Sequence, residues 1–233
     1  MKIALLGYGK MGKVIERVAL ERGHEIVLRK GGNDAFDGLE KADVAIEFSI
    51  PDAAVTNIST CFNNNIPVIS GTTGWLENYH DIARLCEEKE GAFIYGSNFS
   101  LGVNIFFELN AHLAKMMSKL SQYKVSMEEI HHTQKLDAPS GTAISLARDI
   151  IDNTSYSSWA LENAKEDEIL IDAKRIENVP GTHSVFYDSE VDSIEIKHTA
   201  HSREGFALGA VVAAEWILGK KGIFTMKDVL GLK

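Results

Sequence analysis

A chain of 233 residues is one large or two small domains, at about 150 residues each, and is long enough to bury a core without disulfide staples. Its 45% hydrophobic and 24% charged residues exclude intrinsic disorder and low complexity as the main state. With 24 Lys and Arg against 33 Asp and Glu, the formal charge of −9 argues against nucleic-acid binding through the overall field; small anionic ligands need only a local cluster of donors.

Lys2–Leu6 is an apolar run that predicts a strand buried on both faces, leading straight into Gly7-Tyr8-Gly9-Lys10-Met11-Gly12. Met11, Val14, Ile15, Val18 and Ala19 then fall on one helical stripe, which Gly23 is placed to end. Further strands are expected at Glu25–Leu28, Asp43–Phe48, Pro67–Ser70 and Ala92–Tyr95, with helices at Asp52–Asn63 and Trp75–Glu90 between them. This β-α-β order at close spacing predicts a parallel sheet with helices on both faces, a Rossmann-type domain. From Asn98 the pattern changes. A long helix over Leu101–Leu120 carries Ile105, Phe106, Leu109, Leu113, Met116, Met117 and Leu120 on an apolar side read as core. A strand at Tyr123–His131 and a helix at Ser140–Ile151 follow. Asn153–Glu168 is polar and uneven, without a readable pattern. Strands at Glu168–Ile176, Ser184–Tyr187 and Ser193–Thr199, the last two forming a hairpin, precede a final helix over Phe206–Leu218 and a short tail. The expected organisation is α/β: residues 1–99 with 205–233 as a dinucleotide-binding domain, and 100–204 as an α+β domain with a mixed or antiparallel sheet for substrate binding and oligomerisation.

The N-terminal apolar run is too short for a signal peptide, and Phe206–Leu218 is too short to span a bilayer and carries Glu215. No membrane partner is expected. Cys61 and Cys86, lacking a CxxC spacing, are expected to be buried thiols of a reducing, cytoplasmic compartment.

Gly7-x-Gly9-x-x-Gly12 after a strand and opening a helix has the context of a dinucleotide fingerprint: one glycine for the tight turn, one for close approach of a pyrophosphate, one for helix–strand packing. Arg29 and Lys30 stand where an acid for a free ribose would be expected, so NADPH is expected to be preferred over NADH. Gly71-Thr72-Thr73 and Gly96-Ser97-Asn98-Phe99 follow strands of the same sheet, at the ends where ligands of open α/β sheets lie. The densest polar stretch runs from Glu129 through His131, His132 and Lys135 to Pro139-Ser140-Gly141-Thr142. Ser140 can cap the helix there. The Gly141 and Thr142 amides with the Thr142 hydroxyl then make a carboxylate site, with Lys135 to neutralise an anion or deliver a proton and a histidine to donate one near neutral pH. No HExxH or Cys/His spacing is present, so no metal is expected.

The string Glu129–Thr142 resembles the signature of the dihydrodipicolinate (4-hydroxy-tetrahydrodipicolinate) reductase family. Gly7–Gly12, Gly71-Thr72-Thr73, Asn98-Phe99-Ser100 with Gly102-Val103-Asn104, and His198-Thr199-Ala200 with Ser202-Arg203 fall in that family's order over essentially the whole chain. The resemblance implies NAD(P)H-dependent reduction of a cyclic imine dicarboxylate in diaminopimelate and lysine biosynthesis. It implies His131 as acid/base, Lys135 as proton donor, and His132, Gly141 and Thr142 as substrate contacts. Gly7–Gly12, Gly71–Thr73 and Gly96–Phe99 would be cofactor contacts, NADPH or NADH the cofactor, and a homotetramer the assembly, whereas Arg29, a cofactor contact on the residues alone, stands with Lys30 where the family usually has an acid. Arg203 falls in the family's arginine motif without an assigned step. Another Rossmann amino-acid dehydrogenase would share the glycine turn but has no need of His131, His132 and Lys135 before a helix start; a non-catalytic NADPH sensor would have lost them.

Overall fold

Strand β1 (Lys2–Leu6) buries Ile3, Ala4, Leu5 and Leu6 without interruption, because neighbouring strands and helices cover both its faces. The structure, a computed structural model, describes residues 1–232. Helix α1 (Lys10–Glu21) follows, burying Gly12, Ile15, Val18 and Ala19. Then come β2 (Glu25–Lys30), β3 (Val44–Glu47), α2 (Pro51–Asn63), β4 (Val68–Ser70), α3 (Tyr79–Glu88) and β5 (Ala92–Tyr95). Next are α4 (Leu101–Met117), β6 (Lys124–His131), α5 (Gly141–Asn153), β7 (Ser158–Ala160), β8 (Glu168–Arg175), β9 (Gly181–Asp188) and β10 (Ser193–Ala200). The chain ends with α6 (Glu204–Ile217), β11 (Gly222–Phe224) and α7 (Met226–Leu230). Two compact units result: Met1–Leu101 with the chain from Glu204 onward, and Gly102–Arg203. Among the described residues no helix is long and apolar enough to cross a membrane.

In the first unit six strands form one parallel sheet in the order β11-β5-β4-β3-β1-β2. One face packs Ile3, Leu5, Val44, Ile46 and Ile94 against α1 and α6; the other packs Ala4, Leu6, Ala45 and Phe93 against α2 and α3. The strand order reverses between β1 and β3, the place where an open α/β sheet leaves a crevice at its carboxyl edge. In the second unit the order is β10-β9-β6-β8-β7, antiparallel from β10 to β6 and parallel from β6 to β7. Helices α4 and α5 cover one face of it through Phe106, Leu113, Met117, Leu146 and Ile150, over Val125, Met127, Ile169, Ile171, Val185 and Tyr187.

Several elements differ from the sequence expectation. Strand β2 continues two residues past Leu28, because β1 still offers Leu5 and Leu6 as partners; Arg29 and Lys30 are therefore in the strand, alternately exposed and buried. The segment expected to be one helix from Trp75 begins as a 3-10 turn, Leu76–Asn78: Trp75 is sunk in the core, with its indole N–H on the Thr72 carbonyl (2.7 Å). Helix α4 buries Phe106, Leu113 and Met117, but Ile105, Leu109, Met116 and the following Leu120 are 40–56% exposed, so the core arc is narrower than the apolar stripe. Strands β7 and β11 and helix α7 were not expected from the pattern; β7 and β11 are three half-buried residues each.

Candidate active site

The first unit offers a cleft of about 700 Å³ at the carboxyl edge of β1 and β3. Gly7, Tyr8 and Gly9 form one wall, Lys30–Asp34 and Phe36 another, and Phe48–Ile50 with Asp52, Ala53, Thr56 and Asn57 a third. The three turn glycines have different reasons to be glycine. Gly7 has φ +106°, and a β-carbon there would stand 2.0 Å from the Phe48 carbonyl oxygen. At Gly12 it would stand 2.3 Å from the Gly7 carbonyl oxygen. At Gly9 it would meet nothing within 4 Å, so the protein itself leaves that face bare. Gly9 is the N-cap of α1 and carries no side-chain cap, and the first amides of that helix are suited to a phosphate. The residues present thus fit a dinucleotide. Lys10 and Met11 open α1 outside the cleft lining.

The other sequence-predicted cofactor residues are set differently. Arg29 is tied through Nε (2.8 Å) and Nη2 to Glu16, which also takes the Tyr8 hydroxyl; Arg29 and Tyr8 both hold the Glu16 carboxyl below its usual range. Lys30 is buried, donates to the Gly32 carbonyl (2.9 Å) and sits over the Phe36 ring. Gly71–Thr73 and Gly96–Phe99 end β4 and β5, outside the cleft walls. Gly71 is required by the Phe48 ring, which would lie 2.3 Å from a β-carbon. Thr72 is buried; its hydroxyl donates to Glu47 (2.9 Å) and accepts from the Ser49 amide (2.8 Å). Thr73 and Ser97 are exposed, Asn98 accepts from the Ser100 amide (2.9 Å), and Phe99 is in the core against Phe48. Two participants were missed by sequence reasoning. Glu47, fully buried, gathers Ser49, Ser70 and Thr72, and Asp34 puts a carboxylate in the cleft wall, accepting from the Gly31 amide (3.0 Å).

The second unit holds the polar cluster. Along β6, Val125, Met127, Glu129 and His131 share the buried face, since side chains alternate along a strand. Register sets His183 of β9 opposite Glu129 and Arg175 of β8 opposite His131. Glu129, with no exposure, accepts both terminal nitrogens of Arg175 on Oε1 (3.2 Å each) and the Ser140 amide on Oε2 (2.9 Å). The same Oε2 lies 3.7 Å from His131 Nδ1 and 3.7 Å from His183 Nε2. Burial would raise the Glu129 pKa, but the neighbouring His183 and the bonds from Ser140 prevail and hold it at about 2. Burial, reinforced by His183, lowers His131 to about 4. Ser140 caps α5 as expected, its hydroxyl accepting from the Ala143 amide (3.2 Å) and meeting His183 Nε2 (3.0 Å). Glu129, His131 and His183 bring ligand atoms within 4.8 Å of one another. That carboxylate is already matched by a guanidinium and an amide, a surrounding that disfavours a further cation.

Strand β6 stops at His131, so His132 lies in the loop beyond it; His132 lines a pocket of about 330 Å³ with Thr133, Gln134, Pro180 and Arg203, and its buried Nδ1 has no protein partner. Lys135 Nζ is held by both oxygens of Asp137 (2.7 and 2.9 Å). A β-carbon on Gly141 would meet nothing within 4 Å, and Thr142 is half-buried beside it.

Sequence profiles for dihydrodipicolinate reductase match nearly all of the chain, the N-terminus profile over residues 1–99 and the C-terminus profile over 102–230. The chain belongs to the dihydrodipicolinate reductase family. It is 59% identical over 233 residues to 4-hydroxy-tetrahydrodipicolinate reductase of Christiangramia forsetii, covering 99% of this chain and 98% of the relative. It is 37% identical over 232 residues to that of Thermosipho africanus, with coverage of 99% and 98%. A dipicolinate-bound dihydrodipicolinate reductase from Paenisporosarcina sp. TG-14 shares the fold at TM-score 0.76 and 22% identity, covering 98% of both chains. Within this family frame, Arg175 and His183 are residues of the cluster that sequence reasoning overlooked. Their pairing with β6 follows only from the register of the sheet.

Proposed function

We infer that the chain catalyses the reaction for which its family is named: one hydride and one proton enter a cyclic imine dicarboxylate, 4-hydroxy-tetrahydrodipicolinate, and one water leaves to give tetrahydrodipicolinate. The family is NAD(P)H-dependent, and the reaction belongs to diaminopimelate and lysine biosynthesis. The observation that carries the assignment of roles is the loop 132–140, which places Lys135 on the strand-to-helix connection closed by the Glu129–Ser140 bond. Lys135 leaves Asp137 for the substrate and delivers the proton. The Gly141 and Thr142 amides at the start of α5 take one carboxylate, favoured by the helix dipole. His132, with its unpartnered Nδ1, takes polar atoms of the substrate in the pocket it shares with Arg203. His131 is neutral at neutral pH in the free protein, so it serves as acceptor and orienting base while Lys135 is the acid.

NAD(P)H supplies the hydride when bound. The Gly7–Gly12 turn and the start of α1 hold its pyrophosphate, with Tyr8, Lys10 and Met11 flanking, and Gly71–Thr73 and Gly96–Phe99 shape the carboxyl edge on the β4–β5 side. Arg29 is anchored by Glu16 with 43% of its side chain exposed, a setting in which the guanidinium can accept a 2′-phosphate; NADPH is preferred, and Asp34 in the cleft wall lets NADH serve too. Exposed Leu170 and half-buried Phe186, which the register sets together on the face of the second unit's sheet away from α4 and α5, support assembly as a homotetramer through that sheet, and the buried free thiols of Cys61 and Cys86 support a cytoplasmic setting.

The test is loss of NADPH absorbance, then of NADH absorbance, with substrate made fresh from pyruvate and aspartate semialdehyde. Lys135→Ala is expected to lower kcat by about 10²–10⁴-fold with unchanged NADPH affinity. Normal turnover in that variant removes Lys135 as proton donor, and equal kcat/KM for the two nucleotides removes the Arg29 preference.

A further inference from the structure

Arg175, the last residue of β8, is bound to the loop that carries Lys135. Its Nε donates to the Lys135 carbonyl oxygen (3.2 Å) and its Nη2 to that of Asp137 (2.6 Å). Nη1 and Nη2 also reach Oε1 of Glu129 (3.2 Å each), and Nη1 donates to the Lys174 carbonyl (2.9 Å). One planar guanidinium therefore ties two carbonyls of an exposed loop to a carboxylate in the core. A lysine could supply the charge but not the rigid fork of donors. We propose that Arg175 is the positioning residue of the proton-delivering loop, fixing the backbone at Lys135 and Asp137 to buried Glu129 and so setting where the Lys135 ammonium stands. The proposal rests on the reading of Lys135 as proton donor.

The geometry separates two contributions. Removing the guanidinium leaves Glu129 buried without its counter-charge, so Arg175→Ala perturbs the core and the loop together. Arg175→Lys keeps the charge beside Glu129 and loses the span to the two carbonyls, so it reports on the loop. A shift of about 1 Å in a reacting group costs about 10²-fold in rate.

Arg175→Lys is therefore expected to lower kcat by about 10²-fold with unchanged NADPH affinity. The Lys135 amide, which donates to the His132 carbonyl (3.1 Å), is expected to exchange its hydrogen faster than in the parent protein. In Arg175→Ala, added guanidinium is expected to restore part of kcat and methylammonium none. Wild-type kcat in Arg175→Lys, unchanged exchange at the Lys135 amide, or equal rescue by the two cations overturns the proposal. The underlying reading fails separately, through Lys135→Ala retaining turnover; exchange at the Lys135 amide in Arg175→Lys then still shows whether Arg175 holds the loop.

Discussion

His131 carries a pH dependence that the second unit's geometry predicts between neutrality and mild acid. Its side chain is 9% exposed, and burial first, then the neighbouring His183, Lys135 and Arg175, lower its pKa from 6.5 to about 4 against the pull of Glu129. Between those two values the unfolded chain binds a proton that the folded chain refuses. The stability associated with neutral His131 is thus complete above pH 6.5 and is lost as the pH falls through about 4. Integrated from neutrality down to about pH 5, the shift corresponds to about 2 kcal/mol. His131→Gln removes that titration. Urea unfolding followed by tryptophan fluorescence at the two pH values should show the parent losing about 2 kcal/mol more than the variant. The comparison is between two pH dependences, so a constant destabilisation by the substitution cancels, and so does the contribution of His198, whose pKa burial also lowers. The His131 ring-proton resonance should titrate near pH 4 in the parent. Equal pH dependence in parent and variant, or a resonance midpoint near the ordinary 6.5, refutes the reasoning.

Gly9→Ala should leave the melting temperature unchanged and weaken NADPH binding at least tenfold by titration calorimetry, because its β-carbon meets no protein atom but occupies the open face of the turn. Gly7→Ala, facing the Phe48 carbonyl at φ +106°, should instead lower the melting temperature sharply. Glu47→Ala should destabilise the first unit by about 2 kcal/mol in urea unfolding, chiefly by leaving the buried Ser70 and Thr72 hydroxyls without their acceptor, and Glu47→Gln by about half as much.

What the sequence made legible is what depends on near neighbours. Lys2–Leu6 could be read as a strand because burial on both faces leaves a continuous apolar run, and Ser140 as a cap because the hydroxyl, the helix and the amide it satisfies lie within four residues. The pairing of Arg175 and His183 with β6 joins strands about 45–55 residues apart, and no local period encodes it. Strands β7 and β11 are three half-buried residues each, too short for alternation to stand out. On α4 the failure is different: Ile105, Leu109 and Met116 continue the apolar period of Phe106, Leu113 and Met117, so the stripe is real but wider than the face that α5 and the sheet cover. Arg29 and Lys30 fall beyond the expected end of the strand at Leu28 because strand length is set by the partner, here β1, rather than by their own propensity.

The density of the stretch from Glu129 to Thr142 follows from closing a loop around a charged donor. Leaving β6, the chain carries half-buried Lys135 and returns eleven residues after Glu129 to start a helix that Ser140 caps. A loop carrying its own cation gains little from apolar packing: Leu136 within it is 96% exposed. Its anchoring falls instead to a few polar bonds that run from the exposed loop to buried Glu129, where an unmade bond is costly. Glu129 accepts at both ends of the problem, from the Ser140 amide at the helix start and from Arg175, which holds the carbonyls of Lys135 and Asp137. The same carboxylate lies against His131, whose burial keeps it neutral, so in the proposed reaction the proton falls to half-buried Lys135, paired with Asp137. In the proposed reaction acid and scaffold are thereby separated: substitutions at Lys135 should act on the rate at constant fold, whereas those at Glu129 should act on both.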